Sequence, residues 1–344
     1  MRKAAALGTQ PAGVMLRVGP AERMGAALAE YRDRVLMAVR YGAGTHGLRD
    51  ADHPFIDIPT PVLCGAPRLE IWGTRERARS FRRDGVAWAE DGRALLGCGS
   101  RRVGEDMELD AFQTYRELLA LLGERGYPCL QRVWNYVPGI NQEQHGVERY
   151  RRFNVGRARA FEERFGEGAE RQFSAASAVG TTGDTLLVCF AAGREPGTHL
   201  ENPRQVSAPR YPADYGPTGP SFARCTVAPA GWGRAVFLSG TASIVGHRTT
   251  YRGDPLRQLD EVVTNIATLL GGGAGSPSAR GRLDVGRFDL LKIYVRHREH
   301  FAAIRGALSS RIDPSTPAIY LETDLCRADL LVEIEGVSLS RPAP

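Results

Sequence analysis

No stretch of this sequence approaches the roughly 18 consecutive apolar residues that a membrane-spanning helix needs, so a membrane partner is not expected. The N-terminal Met1-Arg2-Lys3-Ala4-Ala5-Ala6-Leu7-Gly8 starts basic, but no sustained apolar segment follows it, and a cytoplasmic protein is expected rather than a secreted one. C-x-x-C pairs are missing too. Cys64, Cys98, Cys129, Cys189, Cys225 and Cys326 are scattered without close histidine partners, so neither disulfides nor structural zinc are expected, and most should be small buried hydrophobes. The seven histidines show no H-x-D or H-E-x-x-H spacing. His297 and His300 share a helical face, but no further ligand lies nearby, and no metal is expected. There is no Walker loop and no G-x-S-x-G elbow, and Gly97-Cys98-Gly99 lacks the glycine spacing of a dinucleotide site. The net charge of +6 is dispersed. Runs such as Arg75-Glu76-Arg77-Ala78-Arg79 and Arg151-Arg152 are short and lie close to acids, as on a solvated surface. With no nucleic-acid motif present, the charge suits an enzyme that draws in a small anion.

The 344 residues, 42% apolar and 24% charged, suffice for one large or two medium units with true cores. Residues 1–65 are hard to read beyond a possible helix over 21–31. From there the pattern sharpens. Short strands are expected at 69–72, 85–89 and 94–99. A helix is expected over 110–122, where Phe112, Tyr115, Leu118, Leu119 and Leu122 recur at helical spacing. A strand over 130–137, a helix over 147–165 and a strand over 184–191 follow. The second half repeats this order: a strand at 235–240, a helix capped by Asp254, a Gly/Ser/Pro loop from 271 to 281, a strand at 290–295, a helix carrying Phe301, Ile304 and Leu308, and a last strand. The repeat recurs at an offset of roughly 140 to 160 residues and is read as an internal duplication.

That last strand carries Leu330-Leu331-Val332-Glu333-Ile334-Glu335-Gly336. Alternate residues of a strand share a face, so Glu333 and Glu335 sit side by side behind an apolar run. Either the face is wet, or an acid is held near neutral for proton transfer. Aligning Leu186-Leu187-Val188 with Leu330-Leu331-Val332 places Cys189 and Ala191 opposite the two glutamates. The same strand then works without carboxylates, which favours a functional role for them. Between the halves, residues 201–222 mix Arg, Gln, Asn, Tyr and Ser with prolines, which suits an ordered loop that presents donors or a proline-rich strap. Arginines able to clamp carboxylates and hydroxyl-rich loops such as Ser239-Gly240-Thr241-Ala242-Ser243 complete a set suited to cofactor-free acid catalysis on a polyanion.

Several segments together carry a family resemblance: Trp134-Asn-Tyr-Val-Pro-Gly-Ile-Asn141, Phe153-Asn-Val-Gly-Arg157, Ser174-Ala-Ala-Ser-Ala-Val-Gly-Thr181, Glu201-Asn-Pro-Arg-Gln-Val-Ser-Ala208, Ser239-Gly-Thr-Ala-Ser-Ile-Val-Gly-His247 and Leu330–Gly336. Over roughly residues 65 to 340 the chain resembles the chorismatases, formerly called pteridine-dependent dioxygenases. The lack of an iron-ligand triad speaks against the older name. The resemblance implies an α+β fold of two tandem Rid/YjgF-like units: 66–195 and 229–340, after an N-terminal extension 1–65 and around a central substrate-binding loop 196–228. It implies chorismate as substrate, no cofactor, and either a monomer or a Rid-like trimer.

By the same resemblance Glu333 is the catalytic acid, with Glu335 as its alternative or partner and Cys326 bearing on the fate of the ring. Candidate substrate-binding residues are Tyr136, Arg157, Arg204, Gln205, Arg210, Tyr211, Tyr215, Arg224, Lys292 and Arg296, with Ser239, Gly240, Thr241 and Ala242 flanking the ring. The products divide the family: Cys326 points to 3-hydroxybenzoate, whereas Ala242, where a glycine marks the synthases, points to hydrolysis to the 3,4-dihydroxycyclohexa-1,5-dienoate; some members also give 4-hydroxybenzoate. A reading from another class is a Rid-like protein that binds small carboxylates without turnover.

Overall fold

The computed structural model describes residues 13–42, 44–229, 232, 235–271 and 288–339. In chain order the elements are β1 (Met15–Pro20), α1 (Gly25–Tyr31), β2 (Val35–Tyr41), β3 (Gly47–Leu48), β4 (Phe55–Ile58), β5 (Arg68–Gly73), β6 (Arg79–Arg83), β7 (Val86–Glu90), β8 (Ala94–Arg102), α2 (Met107–Arg125) and β9 (Cys129–Pro138). A hairpin of β10 (Glu143–Gln144) and β11 (Val147–Glu148) precedes α3 (Arg149–Phe165), β12 (Ala175–Thr181), β13 (Thr185–Gly193), β14 (Thr198–Leu200) and β15 (Cys225–Val227). The chain ends with β16 (Ala235–Ala242), β17 (Ile244–Val245), β18 (Arg248–Thr249), α4 (Pro255–Leu270), β19 (Leu290–Val295), α5 (Phe301–Ser309), β20 (Ala318–Glu322) and β21 (Val332–Leu339).

The helix ends follow local chemistry. The Asp106 carboxylate accepts the backbone N–H groups of Glu108 and Leu109 at the start of α2, and Gly126, at φ 77°, closes it. Asp254 does the same for Leu256 and Arg257 in α4, with Pro255 in the first turn. The expected Gly/Ser/Pro loop from 271 to 281 lies mostly outside the described residues.

The strands form three main sheets, ordered β1-β5-β2-β4-β3, β12-β9-β13-β8-β7-β6 and β14-β15-β16-β21-β19-β20. All three follow one path. A strand leads into a helix and a second strand; another strand then pairs parallel to the second, and the last inserts antiparallel between the first two. The repeat legible in the sequence is therefore present three times. Residues before 66, expected as a partly helical extension, form most of a sheet, and β5 pairs with β1 and β2 rather than with the strands that follow it. The third occurrence escaped notice because its strands are short and its second helix is replaced by β3.

Inner faces of all three sheets contribute to one central core, which includes Leu36, Trp72, Trp134, Leu187, Phe237 and Tyr294. The outer faces are covered by helices: α2 and α3 over the middle sheet, α4 and α5 over the C-terminal sheet, α1 over the N-terminal sheet. The central strands of each sheet are thus buried on both sides, whereas the edge strand β6 is largely exposed. Among the described residues no helix is long and apolar enough to cross a membrane. The described cysteines are free thiols, and Cys98 and Cys189 face each other across β8 and β13 with sulfurs 3.0 Å apart.

Candidate active site

In β21 the alternation of the sequence is realised inward. Glu333 pairs with Tyr294 and Glu335 with Lys292 across β19, and both carboxyl groups are buried between sheets rather than wet. In the middle sheet the corresponding pairs are Cys189 with Trp134 and Ala191 with Arg132. Lys292 and Arg132 therefore hold equivalent places in the repeat, and both point at the same carboxylate. Arg132 Nη2 lies 2.7 Å from one Glu335 oxygen and Lys292 Nζ 3.0 Å from the other. The Ser177 hydroxyl of β12 donates to Glu335 and accepts from Arg132 and from the Gly240 N–H. Burial, the largest influence on Glu335, opposes its ionisation. Lys292, Arg132 and the Ser177 hydroxyl together outweigh burial, and Glu335 titrates below the usual carboxylate value.

Glu333 has the opposite environment. It makes no hydrogen bond or ion pair with any described residue. Burial first, and the neighbouring Glu335 carboxylate second, push its pKa up to about 8, against weaker pulls from Arg132, Arg224 and Arg296. Two carboxyl groups on one strand face thus take different forms at neutral pH, Glu335 as the anion and Glu333 as the acid.

Glu333 opens on a cavity of about 430 Å³ between the middle and C-terminal sheets, within the range of small-molecule sites. Its lining includes Arg157 and Tyr150 of α3, Tyr211, Tyr215, Phe222 and Arg224 of the central segment, Gly240 and Ala242 of β16, and Cys326 and Arg327 of the loop before β21. Gly240 is required by close approach: a Cβ there would lie 2.0 Å from Glu333 Oε1. Pairing between β16 and β21 slips between Leu238 and Thr241, a bulge that brings the Gly240 backbone against the acid.

The cavity holds more positive than negative charge. Arg252 pairs with Asp329 at 2.9 Å and Arg151 with Glu148 at 3.7 Å. Arg157 is buried over the Tyr115 and Phe161 rings, has no ion pair among the described residues, and leaves Nε and Nη2 without partners. The Arg224 guanidinium donates to Tyr211 Oη at 2.8 Å and to the Val206 carbonyl at 3.1 Å, with Glu201 only at 4.0 Å. Arg327 stacks 4.1 Å from the Tyr215 ring centroid and donates to the His247 carbonyl. Three guanidiniums without a close carboxylate around a buried acid suit a substrate with more than one negative charge. Burial, and the nearby Glu333 carboxyl, push the Cys326 thiol up to about 12, so it faces the cavity uncharged.

Of the residues singled out in the sequence, Glu333, Cys326, Arg157, Tyr211, Tyr215, Arg224, Gly240 and Ala242 line this cavity. The others do not. Tyr136 and Lys292 are buried in the central core, Tyr136 Oη at 3.0 Å and Lys292 Nζ at 2.9 Å from Tyr41 Oη. Arg204 pairs with Glu261 at 2.7 Å, Gln205 donates to the Ile244 carbonyl, and Arg210 is exposed. Ser239 donates to the Ala223 carbonyl and Thr241 to the Ser239 carbonyl, both inside the sheet packing. Arg296 fastens the loop before β21, donating to the carbonyls of Leu325, Arg327 and Leu330 and pairing with Asp324 at 2.6 Å. Apart from the exposed Arg210, these residues bind protein, not cavity.

Sequence reasoning missed Arg132, Ser177, Tyr150 and Arg327. Arg132 had a signal as a lone cation in the apolar strand 130–137, on the same face as Trp134 and Tyr136, and Ser177 lies in the Ser174–Thr181 segment that carries the resemblance. Among the described residues no group of three or more His, Cys, Asp or Glu side chains is placed to hold a metal.

A buried neutral carboxyl group facing uncompensated guanidiniums suits proton transfer to a small anionic molecule. Known proteins resemble this chain in sequence and fold. A family model described as "Chorismatase FkbO/Hyg5-like, N-terminal" matches residues 70–192. A 3-hydroxybenzoate synthase of Streptomyces hygroscopicus is 38% identical over 298 residues, 84% of this chain and 86% of that protein. A chorismatase of Streptomyces rapamycinicus is 36% identical over 323 residues, 92% of this chain and 96% of that one. A chorismatase crystal structure superposes with a TM-score of 0.84 at 32% identity, over 95% of this chain and 98% of that chain. The chain belongs to the chorismatase family.

Proposed function

We propose that this enzyme cleaves chorismate and releases pyruvate without a cofactor, with Glu333 as general acid. The observation that carries this reading is the unpartnered Glu333 carboxyl, held protonated to about pH 8 at the wall of a cavity with an excess of guanidiniums. Chorismate carries a ring carboxylate and an enolpyruvyl ether with a second one. Protonation of the enolpyruvyl methylene by Glu333 gives an oxocarbenium ion. In the synthase route the ring carbon–ether oxygen bond then breaks, the ether oxygen leaves as the carbonyl of pyruvate, and the ring loses one proton as it aromatises with its remaining hydroxyl oxygen. In the hydrolase route water adds to the oxocarbenium carbon, and the hemiketal collapses to pyruvate and the ring alcohol. The adjacent Glu335 anion, 1% exposed, favours the developing positive charge. Arg157 and Arg224 clamp the two carboxylates, and Tyr211 and Tyr215 close over them.

For the ring we favour 3-hydroxybenzoate, because Cys326 lines the cavity near the acid and one of the similar proteins is a 3-hydroxybenzoate synthase. That route consumes no net water. Ala242, which also lines the cavity, supports a second reading, hydrolysis to the dihydroxycyclohexadienoate. One reaction tests both. Purified protein is mixed with chorismate, pyruvate is followed through lactate dehydrogenase and NADH, and the ring product is identified by chromatography. An aromatic product matching 3-hydroxybenzoate is expected. The diene-diol would move the assignment to the hydrolases, and pyruvate at no more than the uncatalysed rate would leave only a carboxylate-binding protein.

A further inference from the structure

Glu70, on β5 of the N-terminal sheet, is 1% exposed and is not among the residues that line the cavity. It accepts from Trp72 Nε1 at 2.6 Å and Tyr41 Oη at 2.9 Å, and lies 3.3 Å from Lys292 Nζ. Lys292 continues to Glu335, which continues to Arg132. One buried row therefore crosses all three sheets: Glu70, Lys292, Glu335, Arg132. Its two carboxylates balance its two cations, which leaves no cation to spare for Glu333. If Glu70 were absent, the same place would hold two cations and one carboxylate, and a buried site with excess positive charge draws a neighbouring acid toward ionisation.

Other groups also face Glu333. Glu335 shares its strand, Arg132 comes from β9 and Tyr294 from β19. Arg224, Arg296 and Cys326 approach from the loops, and Tyr150 from α3. Of these only Glu335 also pairs with Lys292, at 3.0 Å, and it is shared with Arg132; Glu70, at 3.3 Å, supplies the second carboxylate that the two cations need. We propose that Glu70 is a positioning residue for the reaction: by holding Lys292 from the far side, it balances the charge beside Glu333 and so keeps the catalytic proton in place. The N-terminal sheet then belongs to the catalytic apparatus although it does not touch the cavity.

This inference rests on Glu333 as the acid, and the pH dependence of kcat/KM for pyruvate release separates the two claims. Glu70→Gln removes one negative charge, so the alkaline limb is expected to move to lower pH by about one unit, the scale of a charge–charge interaction at an effective dielectric near 20. Glu70→Asp keeps the charge and should keep the limb. Lys292→Met removes the opposite charge and should move the limb to higher pH, and it carries the test if Glu70→Gln does not fold. A Glu70→Gln enzyme that is slower at every pH with an unmoved limb would overturn the proposal, as would a Lys292→Met limb that fails to move upward. A limb that persists unchanged in Glu333→Gln would instead overturn the reading of Glu333.

Discussion

At the residue scale, two glutamates two positions apart on one strand differ because their partners differ. Glu335 pairs with Arg132 and Lys292, whereas Glu333 is buried without an ion-pair partner and lies beside the Glu335 carboxylate. The arrangement costs stability in a defined pH window. The Glu333 pKa rises from 4.5 to about 8 on folding, so its contribution to stability is full below about pH 4.5 and is lost as pH rises through about 8. Glu333→Gln should therefore melt higher than the wild type at pH 8, by on the order of 2–3 kcal/mol at 1.36 kcal/mol per pKa unit with part offset by lost packing, and the difference should shrink toward pH 5. Equal melting temperatures across that range would contradict the buried, protonated state. The acid pair was legible as a pair, since two carboxylates behind Leu330-Leu331-Val332 are unusual. Which of the two keeps its proton was not, because the deciding cations lie about 40 and 200 residues away in sequence and meet the pair only through sheet pairing and packing.

At the element scale, the bulge in β16 and the glycine in it set the acid's place. Gly240→Ala would put a methyl group into the Glu333 carboxyl, which must then rotate or shift. The variant should fold, because Gly240 is at a bulge rather than in regular pairing, and its kcat should fall by about 10²-fold or more, the scale of a misplaced catalytic group. Turnover within about threefold of wild type would show that the carboxyl tolerates displacement. The helices were readable because their periodicity and caps are local: α2 and α4 lie where Phe112 to Leu122 and Asp254 place them. The central segment was only half readable. It presents Tyr211, Tyr215 and Arg224 to the cavity as a donor loop would. Arg204 and Gln205 instead tie it to α4 and to the hairpin of β17 and β18, which composition does not distinguish.

At the scale of the whole molecule, three sheets with one topology enclose a single core and shield their outer faces with helices. A chain that closes all three faces on itself has no inner sheet face left for further copies, so sedimentation at micromolar concentration should give a monomer of 37.5 kDa. A trimer would contradict this account of how the core is completed. Two of the three repeats were legible because each has a long capped helix after its first strand, α2 of 19 residues and α4 of 16, and the N-terminal one was not because α1 has seven residues. That hidden repeat supplies Glu70 and Tyr41 to the charge row behind the acid, so the architecture and the chemistry meet at Glu333. The most direct test is the pH profile of kcat/KM for pyruvate release from chorismate by the wild type and by Glu333→Gln. The wild type should be constant below about pH 7 and fall through one ionisation near pH 8. Glu333→Gln should lose that limb and be slower by about 10³-fold, in the range for removal of a general acid. A wild-type rate that rises through pH 8, or a Glu333→Gln rate within about tenfold of the wild type, would contradict Glu333 as the proton donor.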